Sequence, residues 1–303
     1  MPCPICNAFE SSFFRDLQDH FTDHKFTAVQ CSNCGGIYLS NAPNAESIGQ
    51  YYNNVLGSTM WSKGAGLFQV LNAFALKREF SFLQQYLKPK SLIVDLGSGS
   101  GSCARTLQAM NYEVHARDMY SPLDWRDKEI PFKQVNLSGD VLSESDILCD
   151  GKPPTLVLLR HVLEHLIEPR KVLQTCHKSG AQYVLIFVPN VASCFSRLFP
   201  QSWYYWDPPR HLTFFTPRTL ELLLQNAGFS ALRTWTYGID ELVTTWYRNK
   251  LLKLHSLSDR DVAQRRLESY TSIAGPKSVF AAFSSALSRP FGSNVVACLA
   301  KRS

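Results

Sequence analysis

Ser91 to Leu96 is a short run of β-forming residues that passes directly into Gly97-Ser98-Gly99-Ser100-Gly101, and that junction restricts the fold sharply. Glycines at alternate positions let the backbone adopt left-handed angles and approach a ligand closely. The helix expected to follow presents free N–H groups at its first turn. A strand–turn–helix unit of this kind belongs in a parallel α/β sheet. Strand and helix signals alternate downstream, as such a sheet requires. Strands are predicted at 91–96, 112–117, 132–136, 155–160, 182–188, 231–237 and 294–300.

Apolar residues recur at helical spacing from Leu67 to Leu87, so a helix leads into the sheet before Lys88-Pro89 ends the pattern. Thr216 to Ala227 is a second predicted helix, with Thr216 as cap, Pro217 in its first turn and Gly228 as its stop. An insertion of helical character is expected at about 240–290. Asn41-Ala42-Pro43-Asn44 marks a linker. The expected division is a metal-binding ribbon at 1–45, a linker with leading helices at 46–90, and the sheet domain at 91–303.

Nine cysteines in a chain of 303 residues with no export signal point to metal ligation and burial ahead of disulfides. Four of them form two CxxC pairs, Cys3/Cys6 and Cys31/Cys34, the second followed by Gly35-Gly36. Zinc takes four thiolates in a tetrahedron, and a knuckle of this spacing turns backbone N–H groups toward sulfur. A redox site would need one pair and not two. The pairs are therefore read as a structural Zn²⁺ ribbon, two knuckles joined by a β-hairpin. Cys103, Cys149, Cys176, Cys194 and Cys298 sit among apolar neighbours and read as small buried hydrophobes.

Alone, the glycine turn fits two cofactors. Gly99-x-Gly101-x-x-Ala104 also suits a dinucleotide fingerprint, and Asp118 stands where an acid would bind ribose hydroxyls in either case. Three further segments separate the alternatives. Val94-Asp95-Leu96-Gly97-Ser98-Gly99-Ser100-Gly101 resembles the first motif of class I methyltransferases. Arg160-His161-Val162-Leu163-Glu164-His165 is similar to their "VLEH" segment. Arg210-His211-Leu212-Thr213-Phe214-Phe215-Thr216-Pro217, with the helix ending Asn226-Ala227-Gly228-Phe229, is similar to a stretch that borders their substrate pocket. The order over roughly 67–237 matches that superfamily. The cysteine pairs resemble those of deoxysugar C-methyltransferases.

The resemblance implies an α/β, Rossmann-like, doubly wound sheet of seven strands with the last antiparallel, and S-adenosylmethionine as cofactor. It assigns Gly97, Gly99 and Gly101, with Ser98 between them, to the methionine end and Asp118 to the ribose. Asp95 would fix the turn or approach the methionine amino group, and Asn136 would lie near the adenine. His161, Glu164 and His165, spaced i, i+3, i+4, would share one face of a helix. Three such residues are read first as local hydrogen bonding around the cofactor, His161 included, and second as metal ligands. His211 is the first candidate for a base toward the acceptor and His165 the second, since an imidazole accepts protons near neutral pH. The loop Trp203-Tyr204-Tyr205-Trp206 with Arg210 could face sugar or planar rings, the guanidinium suiting a phosphate or carboxylate.

The strongest apolar stretch, Tyr183 to Val188, stops at Pro189, far short of the roughly 18 residues that read as a membrane span. With no signal-like N-terminus, the expected location is cytoplasmic. The formal charge of +6 is uneven: residues 1–60 hold two cations, Arg15 and Lys25, against five acids. The excess positive charge lies beyond, notably from Arg248 to Arg266. An acidic N-terminal module favours a small-molecule acceptor over RNA, because gripping a phosphate backbone requires cations. The alternatives are an RNA methyltransferase with a zinc module and a non-catalytic cofactor-binding protein.

Overall fold

The computed structural model of the chain describes residues 1–19, 22, 24–53, 66–119, 129–137, 142–198, 200, 203, 205–237 and 293–303. The expected 240–290 insertion, with its basic stretch, and Tyr204 lie outside them. Eleven strands form among the described residues: β1 (Ser11–Gln18), β2 (Lys25–Cys31), β3 (Ile37–Leu39), β4 (Leu92–Leu96), β5 (Glu113–Asp118), β6 (Phe132–Gln134), β7 (Leu156–Arg160), β8 (Tyr183–Pro189), β9 (Thr213–Phe214), β10 (Phe229–Tyr237) and β11 (Val295–Arg302).

Seven of them make the main sheet, in the order β10-β11-β8-β7-β4-β5-β6. β4, β5, β6, β7 and β8 pair in parallel, and β11 runs antiparallel between β8 and β10. The Rossmann-like sheet with its last strand reversed is thus as expected from the sequence. Strands covered on both faces read as continuous apolar runs, and every residue of β8 is buried. Alternate side chains feed two cores: Val94, Val157, Val184 and Ile186 point to one, and Ile93, Leu156, Leu158, Leu185 and Phe187 to the other. The strand order reverses between β4 and β7, and the crevice at the carboxyl ends of strands at such a point is where open α/β sheets bind ligands.

The helix Pro217–Asn226 forms as predicted. Thr216 Oγ1 accepts the Thr219 N–H at 3.1 Å, Thr219 returns the bond to the Thr216 N–H at 2.8 Å, and Gly228 follows at φ +91°. The helix expected from Leu67 to Leu87 is α-helical over Gly66–Phe80 and then tightens into a 3₁₀ turn, Ser81–Gln85. In a 3₁₀ turn residues i and i+3 eclipse, so Phe80 and Leu83 share the buried side.

The N-terminal hairpin β1–β2 and β3 form a second sheet, order β1-β2-β3-β9, whose fourth strand is Thr213–Phe214, distant in sequence. Trp206 and Phe214 meet there edge-on, ring centroids 4.6 Å apart, in a core that also holds Leu17, Phe26 and Leu39. Beside this core Arg210 Nη2 donates to Asp19 at 2.7 Å and to Asp207 at 2.6 Å. Asp19 is 1% exposed and Arg210 3%. Breaking a buried ion pair by deleting one partner costs about 3–5 kcal/mol. Because Asp207 still holds the guanidinium, Asp19→Ala should lower the urea-derived unfolding free energy by about 3 kcal/mol; a loss under about 1 kcal/mol would show that the pair adds little.

Candidate active site and cysteine cluster

β4 ends at the glycine turn. Gly97, Gly99 and Gly101 all have left-handed φ angles, +81°, +52° and +75°. A Cβ on Gly97 would meet Val162 at 2.4 Å, so that position is closed to any side chain. A Cβ on Gly99 would meet nothing within 4 Å, so backbone there borders open space. The Gly97 and Ser98 N–H groups donate to the Arg117 carbonyl at 2.8 and 3.0 Å, and the Gly99 N–H donates to Asp118 Oδ2 at 2.8 Å. Asp118 therefore sits at the turn, at the end of β5. Gly101 precedes the helix Ser102–Ala109.

Asp95 is 2% exposed, and its Oδ2 and the Ser98 Oγ are buried without hydrogen-bond partners. Burial, reinforced by the Asp118 carboxylate, pushes Asp95 up to about 7. A buried acceptor and hydroxyl left bare beside open backbone suit a polar ligand bearing N–H or O–H donors. The amino-acid and ribose ends of S-adenosylmethionine fit that donor–acceptor set. Asn136 follows β6 and is exposed.

β7 ends at Arg160, and the structure revises the helical face expected next. Only Leu163–His165 forms a turn, a 3₁₀ one, and His161 stands before it at φ +56°. The strand end and the left-handed residue prevent an i, i+3, i+4 stripe. His161 Nδ1 lies 3.2 Å from Glu164 Oε1, and its ring stacks on Tyr205, centroids 6.4 Å apart at 3°. The residues brought together instead are Glu164, His165 and His211, whose ligand atoms all lie within 4.8 Å of one another. The His165 and His211 rings meet edge-on at 4.6 Å.

His165 Nδ1 donates to the Arg210 carbonyl at 2.9 Å and His211 Nδ1 to the Tyr205 carbonyl at 2.9 Å. A carbonyl only accepts, so both rings carry their proton on Nδ1 and present Nε2 as a lone pair. Burial, and then the neighbouring His211, hold His165 down to about 4. Burial acts to raise Glu164, yet the hydrogen bond from His161, and after it the neighbouring imidazoles, hold the carboxyl below its ordinary value.

One residue beside this pair escaped the sequence. Tyr52, from the short helix Gln50–Asn53, brings its hydroxyl to 3.3 Å from His165 Nδ1. Its only signal was an aromatic doublet in the linker. Tyr205 lies parallel to His211, centroids 6.3 Å apart at 14°. Trp203 and Trp206 are buried, while Tyr205 lies parallel to both His161 and His211. Arg210, expected to suit an acceptor phosphate or carboxylate, is instead buried against Asp19 and Asp207, which satisfy its charge.

The four knuckle cysteines converge. Cys3 and Cys34 sulfurs are 3.6 Å apart, Cys6 and Cys31 sulfurs 3.5 Å, and all four lie within 4.8 Å of one another. A disulfide needs about 2.05 Å, whereas thiolates at about 2.3 Å from one zinc are separated by roughly 3.8 Å. The two knuckles are built alike: Asn7 (φ +65°) and Gly35 (φ +73°) follow the pairs, and Asn7 N–H and Gly35 N–H return to the Cys3 and Cys31 carbonyls at 2.9 Å each. A Cβ on Gly36 would meet Ile5 at 2.6 Å. Burial pushes the Cys3 thiol up to about 11 and raises Cys34, a penalty a metal would remove by replacing the proton. The donor set fits zinc. Of the remaining cysteines, Cys149, Cys176 and Cys298 are buried as expected, while Cys103 and Cys194 are half-buried.

Residues 70–234, more than half of the chain, match a family model described as a methyltransferase domain. No curated protein sequence matches the chain. Among solved structures, magnesium protoporphyrin IX methyltransferase from Synechocystis PCC 6803, with bound S-adenosylhomocysteine, is 14% identical, with 85% of this chain and 100% of that one covered at a TM-score of 0.50. A S-adenosylmethionine-dependent methyltransferase from Archaeoglobus fulgidus is 17% identical over 76% of this chain and 94% of that one, at a TM-score of 0.48. The first likeness concerns the fold alone, and the second adds nothing to it. No helix among the described residues is long and apolar enough to cross a membrane. The match over 70–234, with the glycine turn at the carboxyl edge of a sheet whose last strand is reversed, shows that the chain belongs to the methyltransferase-domain family and is a class I, S-adenosylmethionine-dependent methyltransferase.

Proposed function

We propose that this enzyme transfers the methyl group to a hydroxyl, or to a carbon, of a small molecule such as a nucleotide-linked sugar or a glycan or secondary-metabolite precursor. The observation that carries the reading is the His165–His211 pair, both rings locked in the Nδ1–H form, with Tyr205 parallel to His211. S-adenosylmethionine supplies a methyl group on a sulfonium whose leaving group is a neutral thioether. The chain's own residues then have to align the acceptor in line, exclude water and take a proton.

In this reading Asp118 binds the ribose hydroxyls, and Asp95, Gly97, Ser98, Gly99 and Gly101 hold the methionine end. His161 lies on the cofactor side and Asn136 beside the adenine. His211 takes the acceptor proton on Nε2. His165, held down to about 4, is a poor base at neutral pH and serves to orient its neighbour. Cys3, Cys6, Cys31 and Cys34 hold a structural zinc. The ribbon at 1–45, linker at 46–90 and catalytic domain at 91–303 are the proposed units, and the proposed compartment is the cytoplasm.

RNA is the second reading, because Tyr205 stacks bases as readily as sugars. The net charge of −3 over residues 1–60 speaks against it. The test is transfer of tritiated methyl from the cofactor to a panel of nucleotide sugars, small phenols and rRNA. Label should appear in a small molecule. Sub-micromolar RNA binding that weakens steeply with salt, together with label in RNA, would overturn the assignment.

A further inference from the structure

We propose that Glu164, His165 and His211 form a binding site for one divalent transition-metal ion, separate from the cysteine cluster. The proposal rests on the reading above that the histidine pair faces the acceptor. Two distant segments supply the donors: Glu164 and His165 from the turn after β7, and His211 from the stretch before β9. One donor atom of each lies within 4.8 Å of the other two. Ligands at about 2.1 Å from one ion stand roughly 3–3.5 Å apart, so side-chain shifts of about an ångström close the set.

The surroundings are those of metal ligands. A ligating histidine donates its other N–H to a carbonyl or carboxylate, which fixes tautomer and ring orientation. Both imidazoles do so here, through Nδ1 to the Arg210 and Tyr205 carbonyls, which leaves Nε2 as the lone-pair nitrogen on each. The carboxylate is anchored in the same way. Glu164 Oε1 pairs with His161, the Glu164 carbonyl accepts the Leu212 N–H at 2.7 Å, and Oε2 is left buried with no partner on a residue 1% exposed. Local hydrogen bonding accounts for Nδ1 and Oε1. It gives no account of Oε2, bare on a residue whose ligand atom and those of both histidines lie within 4.8 Å of one another, and a buried carboxylate oxygen without a partner is costly.

The other groups around the set are occupied or neutral. Arg210 pairs with both Asp207 and Asp19, and Tyr52 and Tyr205 are phenols. One carboxylate and two neutral imidazoles carry a single negative charge. A divalent ion would keep one positive charge and open positions for an acceptor oxygen, the pattern of two histidines and one carboxylate with vacant sites. The ion would lower the pKa of a bound hydroxyl, whose proton passes to water, and the alkoxide would then form the O–C bond as the S–C bond breaks. His211 would then act as a ligand, and hydroxyl activation would pass to the ion.

The experiment is a Co²⁺ titration of the full-length, zinc-loaded chain, followed by visible absorption and by metal count after gel filtration. One cobalt per chain is expected, with weak d–d bands and no sulfur-to-cobalt charge-transfer band. Glu164→Gln and His211→Ala should each weaken this binding at least tenfold while S-adenosylhomocysteine still binds, which shows both variants folded. No cobalt retained at micromolar concentration, cobalt only with the sulfur band, or binding that survives both substitutions would overturn the proposal. Loss of S-adenosylhomocysteine binding by the wild type would strike the functional reading and leave the cobalt count to judge the site.

Discussion

Cys31→Ser should purify with almost no zinc and unfold at least about 10 °C below the wild type, which should carry about one zinc per chain by elemental analysis. Cys31 is 1% exposed and closes β2, and its N–H and carbonyl both bond within the second knuckle. Loss of one thiolate leaves three ligands on an ion whose structural sites are closed and four-coordinate. The apparent binding energy of such ions in isolated zinc-binding peptides is about 10–16 kcal/mol at neutral pH, and it counts as folding energy wherever the apo form is disordered. Only part of that is at stake here, because β2 also pairs with β3, β3 with β9, and Leu17 and Phe26 of the hairpin pack into the Trp206 core. Even about 3 kcal/mol is a large share of the 5–15 kcal/mol that separates folded from unfolded domains. A variant that keeps its zinc, or melts within about 2 °C of wild type, would remove the ribbon from the account.

His211→Ala should lower turnover by about 10²–10⁴, the usual worth of a positioned base, and change S-adenosylhomocysteine affinity less than twofold. The ring is 8% exposed and fixed by the Tyr205 carbonyl and by the His165 edge, while the glycine turn and Asp118 contacts lie on other elements. A fall in turnover without a fall in cofactor affinity separates an acceptor-side group from one that holds adenosine. If the variant turns over at the wild-type rate on an acceptor found by the tritium screen, the base is elsewhere.

Much of this architecture was legible because it rests on local rules. The β4 turn was readable from three glycines whose φ angles the structure shows to be positive, and the helix Pro217–Asn226 from its cap, its proline and its terminal glycine. The cysteine cluster followed from two repeats of one knuckle. What escaped depends on contacts between distant segments. β9 is two residues long and pairs with β3 across more than half the chain, so no periodicity announces it. Arg210 looked like a ligand-binding cation; the Asp19 that neutralises it is 191 positions away. The expected stripe of His161, Glu164 and His165 assumed a helix, and the backbone at φ +56° exchanged its first member for His211.

Calorimetry on the chain tests most directly whether the glycine turn holds S-adenosylmethionine. S-adenosylhomocysteine should bind with one-to-one stoichiometry. Asp118→Ala should weaken it by about 30-fold or more, because a carboxylate accepting ribose hydroxyls forms charge-assisted bonds and its Oδ2 also anchors the Gly99 N–H at 2.8 Å. Tight binding of NADH with no heat from S-adenosylhomocysteine would contradict the account.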